Sequence, residues 1–353
     1  MAPRTDTKSK DILKGSTMKA FLMQRPGPLA TGPIVFSNVP RPEPGAGQVL
    51  LKVLACGVCR SNLHMVEGDW LPSTPSFTPI IPGHEVVGRI EALGASVTGL
   101  AVGDRVGVQP LFSTCGRCAY CHSGREELCQ TKEITGETVN GGYAEYMVAD
   151  ALFVYTVPEA LSDVEAAPLF CPGITGYAAV KKAQIDAADR VGIFGIGGVG
   201  HMALQFAALT GASTVAVTSS TRHLALAQEL GAGQIIDYSQ SDPVEELRRD
   251  GALDAALVFA PSEDVVNAAL RALKPGGRLI VGVNSSIRLF PFALEKTIVG
   301  SLLGTREMME RVLSIAASGR LHVTADAMPL AAAAEALQVL KDRSVRGRLV
   351  LVP

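Results

Sequence analysis

The sequence predicts an α/β chain in which a β-rich domain precedes a doubly wound parallel sheet. Three observations carry that expectation. The length of 353 residues suits about two domains. Residues 18 to about 160 are rich in Gly and Pro and carry short Val/Leu/Ile runs, the texture of strands joined by turns. Residues from about 172 to 302 alternate short apolar runs with helical patterns, the rhythm of a parallel sheet.

In chain order, residues 1–17 are polar and basic and lack the apolar core of a secretory signal; they read as a flexible leader. Met18 opens the first strand-like run, and 48–54 and 86–92 continue the β texture. Strands are expected at 191–195, 214–218, 234–236, 254–259 and 278–283, with helices at 199–209, 221–230, 243–249 and 263–273 between them. A helix is expected at 306–318. A last strand at 348–352 is expected to rejoin the first domain. The domains are then 18–171 with 303–353, and 172–302.

Apolar residues make up 47% and charged residues 19%, enough for two cores and unlike a disordered chain. A net charge of -2 gives a nucleic-acid partner no electrostatic support. No apolar run approaches the ~20 residues that span a bilayer, so no membrane partner is expected.

Gly195, Gly197 and Gly200 in Gly195-Ile-Gly-Gly198-Val199-Gly200 follow a strand and open a helix. The first permits a tight turn, the second lets backbone approach a pyrophosphate, and the third lets helix pack on strand. The helix N-terminus then offers N–H groups to phosphates. An NAD site usually adds an acidic residue about 20 positions on. None occurs between Gly200 and Glu229; Ser219, Ser220 and Arg222 stand there instead. Hydroxyls and a guanidinium suit a 2′-phosphate, so NADP is expected over NAD.

Four of the seven cysteines, Cys115, Cys118, Cys121 and Cys129, have the spacing C-x2-C-x2-C-x7-C. In a chain without a secretory signal that cluster reads as metal binding and a cytoplasmic home. Four thiolates close a tetrahedral zinc shell and leave no place for substrate, so this is a structural site. An iron–sulfur cluster is the competing occupant. Cys59, His84 and Cys171 are distant in sequence and form no local motif. Each reads equally as a buried core residue.

Together these segments resemble the medium-chain zinc alcohol dehydrogenases. The resemblance lies in Gly57-Val-Cys59-Arg60-Ser61-Asn62-Leu-His64, Pro82-Gly83-His84-Glu85 and Cys171-Pro-Gly-Ile-Thr175-Gly-Tyr177, with the four-cysteine run and the glycine turn in family order. It implies a GroES-like catalytic domain and a Rossmann cofactor domain. It implies that Cys59, His84 and Cys171 hold a catalytic zinc with one open position, and that Glu85 can approach the metal. It implies that Ser61 hydrogen-bonds the substrate oxygen and that His64 ends a proton relay. Arg60 and Arg346 are similar to the family's pyrophosphate-binding residues. Thr175 and Val283 fall where it lines the nicotinamide, and Trp70 matches a wall of the substrate pocket. Relatives are dimers or tetramers, so a homo-oligomer is expected.

Two departures matter. Asn62 stands where the family usually has Asp, which removes a charge behind the histidine ligand and predicts weaker zinc retention. Pro110 replaces a common aromatic wall and leaves room for a bulkier or aromatic primary alcohol or aldehyde. A zinc-free reductase on the same fold, a non-catalytic dinucleotide-binding protein and a zinc-ribbon nucleic-acid binder each account for fewer of these features.

Overall fold

The computed structural model describes residues 16–69 and 79–353. Trp70 lies outside the described residues, as does most of the expected leader. The leader reading ends early. Thr17 already belongs to the first strand, Thr17–Met23, because it pairs with Pro40 across an antiparallel hairpin.

The first sheet is seven-stranded. Gln48–Gly57 lies at its centre, between Val86–Leu93 and the C-terminal strand Arg348–Val352. Tyr146–Asp150 also pairs with Gln48–Gly57. The chain end therefore returns to the first sheet, with Leu351 opposite Cys56 and Val350 opposite Gly57. That register sets Arg348 beside the segment that leads into Cys59.

The second sheet is six-stranded. Its strands are Arg190–Phe194, Ser213–Thr218, Gln234–Asp237, Leu253–Val258, Leu273–Val281 and Thr297–Gly300. Numbered in sequence order they lie side by side as 3-2-1-4-5-6, all parallel. Helices cover both faces, so central strands such as Leu253–Val258 are buried almost continuously rather than alternately. The two halves are the GroES-like and Rossmann-like units of the expected α/β fold.

One apolar cluster crosses the seam. Ala55, Val87 and Val350 of the first sheet pack in the same core as Ile193, Leu257 and Ile280 of the second. Gly107 belongs to that seam, since a Cβ there would overlap the Phe170 ring. Helix Pro172–Ala183, beginning at Cys171, packs against helices Gly200–Ala208 and Arg306–Ala317. This helix, with Ala325–Pro329 and Ala333–Lys341, goes beyond the sequence expectation. Among the described residues no helix is long and apolar enough to cross a membrane.

Candidate active site

Three turns bring the separated ligands together. Cys59 leaves strand Gln48–Gly57 in extended conformation and caps helix Arg60–Glu67. His84 follows Gly83, whose φ of 101° and contact with Tyr143 and Cys56 exclude a side chain. Cys171 occupies the N-cap of helix Pro172–Ala183. Ligand atoms of Cys59, His84, Cys171 and Glu85 all lie within 4.8 Å of one another. The Cys59 and Cys171 sulfurs are 3.7 Å apart. Two thiolates on a tetrahedral zinc, each about 2.3 Å from it, would be about 3.8 Å apart, so the donor set fits that ion.

Ser61 Oγ donates to Cys59 Sγ at 3.1 Å and lies 3.4 Å from His84 Nε2. Nε2 is therefore the imidazole nitrogen on the sulfur side. Nδ1 faces Asn62 Nδ2 at 3.4 Å and Glu137 Oε1 at 4.0 Å. The hydrogen bond to Cys171 holds Cys59 well below the usual thiol range despite burial. The same bond, with burial, pushes Cys171 up. Burial pulls His84 down, but the Cys59 charge and hydrogen bond outweigh it. These thiols resist losing both protons unless a cation replaces them. Cys56 is a buried thiol pushed up chiefly by burial, and it stands outside the ligand set.

Glu85 links this cluster to the glycine turn. Its carboxylate is fully buried and accepts from Arg348 Nη2. Burial raises its pKa to about 8 against the pull of Arg348. The Arg348 guanidinium also lies where a Cβ on Gly198 would stand. Arg348 was not singled out in the sequence. The expected pyrophosphate residue, Arg346, instead pairs with Glu229 on the exposed side of helix Thr221–Glu229. The positive φ of Gly347 (72°) separates the two arginines, so strand alternation does not relate them.

The turn itself has the geometry of a dinucleotide cradle. Gly195 has φ 92° and donates to Val217 O at 2.8 Å. A Cβ on Gly200 would strike the Gly195 carbonyl. A Cβ on Gly197 would meet only His223 Cε1, at 4.0 Å, so that face is open to a pyrophosphate. Val199 occupies the N-cap of helix Gly200–Ala208. Across the cradle, Ser219 and Arg222 are exposed and Ser220 is the N-cap of the next helix. Buried Thr218 occupies the strand end, and its Oγ1 lies 3.5 Å from Ser220 N.

The remaining residues take mixed positions. His64 Nδ1 lies 2.8 Å from Asp69 at the partly exposed end of its helix. Arg60 donates to Leu340 O at 3.1 Å and is drawn toward the C-terminal helix. Thr175 is buried one turn after Cys171, with its N–H bonded to Cys171 O. Val283 is half-buried just beyond strand Leu273–Val281. Pro110 is buried, and its carbonyl accepts from Thr135 N.

The sulfurs of Cys115, Cys118, Cys121 and Cys129 form a second cluster within the same 4.8 Å limit. Within 115–129 only Glu126 and Cys129 are buried, so the lobe has no apolar core of its own, and its four sulfurs are a donor set that could hold a metal ion. Glu126 ties it to helix Arg306–Ala317 through two hydrogen bonds of 3.0 Å from the Arg306 guanidinium.

Residues 45–159 match the family model of the alcohol dehydrogenase GroES-like domain, and residues 198–318 that of the zinc-binding dehydrogenases. An alcohol dehydrogenase of Moraxella sp. (strain TAE123) is 40% identical over 90% of this chain and 95% of its own length. The crystal structure of the alcohol dehydrogenase from Aeropyrum pernix superposes with a TM-score of 0.88 at 32% identity, covering 95% of this chain and all of that one. The cobalt- and zinc-bound alcohol dehydrogenase from Pyrobaculum aerophilum gives a TM-score of 0.86 at 27% identity, covering 96% and 100%. A cysteine–histidine–cysteine cluster joined by one arginine to a glycine turn, on a scaffold shared along nearly its whole length with these enzymes, places the chain in the zinc-type medium-chain alcohol dehydrogenase family.

Proposed function

We propose that this alcohol dehydrogenase is zinc-dependent and moves a hydride between a primary alcohol and NADP, in preference to NAD. The observation that carries this reading is the convergence of Cys59, His84 and Cys171 beside the open glycine turn. Zinc bound there supplies Lewis acidity and the nicotinamide supplies or accepts the hydride. The chain supplies the rest. Ser61, already bonded to Cys59, is within reach of a substrate oxygen at the cluster. His64, with Asp69 behind it, stands at the partly exposed end of helix Arg60–Glu67, where a proton can pass to water. Arg348 sets a buried positive charge at the turn that would face the pyrophosphate. A second zinc would be held by the four-cysteine lobe as a structural ion.

NADP preference rests on Ser219, Ser220 and Arg222 at a strand end without a carboxylate. Pro110 supports room for bulky or aromatic alcohols and aldehydes. Self-assembly is supported by edge strand Thr297–Gly300, which is flanked by Leu289 at 78%, Phe292 at 83% and Leu302 at 58% exposure. Seven cysteines without a disulfide suit the reducing cytoplasm.

The test combines metal analysis with initial rates on primary, secondary and aromatic alcohols and aldehydes, each with NADP(H) and NAD(H). Two zinc ions per chain and turnover with NADP(H) are expected. A metal-free active enzyme, or one restricted to ethanol-sized substrates and NAD, would contradict the reading.

A further inference from the structure

A metal-binding histidine needs an acceptor for its other ring N–H, and that acceptor sets both ring orientation and ligand basicity. His84 presents Nδ1 to two side chains. Asn62 turns its Nδ2 toward that nitrogen at 3.4 Å, and its own Oδ1 is buried without a hydrogen-bond partner. A donor facing a donor is unfavourable, and the amide rotated by half a turn would present Oδ1 instead. The amide is in either case neutral. The negative charge on this side belongs to Glu137, whose Oε1 is 4.0 Å from Nδ1.

Glu137 is only 7% exposed, so its carboxylate acts on the ring with little water between to screen it. Its backbone is fixed against the His84 turn. Thr135 donates from N to Pro110 O at 2.8 Å and from Oγ1 to Gln109 O at 3.0 Å. Gly136, at φ 74°, packs so closely on Gly83 that a Cβ would come within 2.6 Å of the Gly83 nitrogen. Gly141 and Gly142 donate to Ile81 O and Gly83 O at 2.7 and 2.9 Å. The 135–142 segment and the histidine turn are thus one backbone unit, which holds the Glu137 carboxylate 4.0 Å from Nδ1.

We propose that Glu137 is the positioning residue for His84, supplying behind the ring the charge that Asn62 does not. This rests on Cys59, His84 and Cys171 being the ligand set. Glu137 then offsets the weak metal retention that Asn62 by itself implies.

The experiment follows metal loss to a strong chelator from the holoenzyme, and records the electronic spectrum after cobalt replacement. It compares the native chain with Glu137→Gln, Asn62→Asp and the double variant. Glu137→Gln should release the Cys59–His84–Cys171 metal about tenfold faster or more, and shift the cobalt bands of that site. The four-cysteine metal should leave at its native rate, which also reports that the variant is folded. In the Asn62→Asp background the same substitution should change release by less than about threefold, because the two carboxylates act on one N–H. Asn62→Asp alone should leave retention nearly unchanged; a large gain there would show that the charge was missing and overturn the proposal. Native release from Glu137→Gln, or one factor in both backgrounds, would overturn it too. A native chain that holds a single metal would overturn the ligand set itself, whereas two metals and an indifferent Glu137→Gln overturn this proposal alone.

Discussion

Arg348 and Glu85 form an ion pair sealed between the metal cluster and the glycine turn, at 5% and 0% side-chain exposure. Removal of one member of such a pair leaves the other stranded, at a cost of about 3–5 kcal/mol. Arg348→Leu is expected to lower stability by that order in urea unfolding, and Glu85→Gln in the same chain to restore part of it. The stranded carboxyl can escape by holding a proton. Its folded pKa already lies above the unfolded value, at about 8, and loss of Arg348 raises it further. A raised folded pKa gives stability that is present below the unfolded pKa and lost as pH rises. The deficit of Arg348→Leu should therefore stay level from pH 5 to about pH 7 and grow as pH rises through 8, where the native carboxyl ionises and the stranded one does not. A deficit that stays flat through pH 8 and above, or one fully additive in the double variant, would remove the pair from this account.

The glycine turn was legible because everything it needs is local: a strand, a turn and a helix within a dozen residues. The four-cysteine lobe was legible for the same reason. Cys59, His84 and Cys171 were not legible by spacing. Their contact is made by a central strand, a turn and an interdomain helix, and only the resemblance singled them out. Arg346 was singled out by resemblance alone; with the left-handed Gly347 between it and Arg348, which guanidinium turns inward depends on φ, and sequence does not show φ. Glu137 reads as one more loop acid until the packing of Gly136 on Gly83 sets it behind His84. Periodicity finds elements, whereas contacts between loops follow from tertiary packing.

Two glycines of the turn should separate binding from folding. The face of Gly197 is open, so Gly197→Ala should leave stability within about 1 kcal/mol. Its added methyl stands where a pyrophosphate would approach, so the dinucleotide Kd should rise about tenfold or more. At Gly200 the methyl meets the Gly195 carbonyl, which is backbone and cannot swing aside. Gly200→Ala should cost about 1–3 kcal/mol in unfolding. Calorimetric binding and thermal melts on both variants check this; the reverse ranking would refute the assignment.

Arg222 tests the cofactor reading. It is exposed at the start of helix Thr221–Glu229, next in sequence to His223, whose Cε1 is the atom a Cβ on Gly197 would meet. A charge-assisted hydrogen bond contributes about 1.5 kcal/mol or more. Arg222→Ala should thus raise KM for NADP about tenfold and barely change KM for NAD. Equal changes for both nucleotides would show that Arg222 is only a solvated helix-start residue.

His201 sets an acid limit that the metal does not. It is fully buried in the first turn of helix Gly200–Ala208, with Nδ1 3.0 Å from Gly197 O and Nε2 without a partner. Burial lowers its pKa to about 4, against the opposing pull of the Gly197 carbonyl. The folded chain therefore holds this ring neutral while the unfolded chain protonates it near 6.5. A folded pKa below the unfolded one means that the unfolded state binds more protons between those values, so stability is intact above pH 6.5 and falls toward pH 4. Between pH 7 and pH 5 the loss from this group is on the order of 2 kcal/mol. His201→Leu abolishes the titration and loses one hydrogen bond to the turn. It should be less stable than the native chain at pH 7.5 and should close that gap by pH 5. Urea unfolding of both proteins at the two pH values measures the difference directly. Parallel stability curves would mean that protons reach His201 in the folded state, and that the glycine turn is not sealed as its packing indicates.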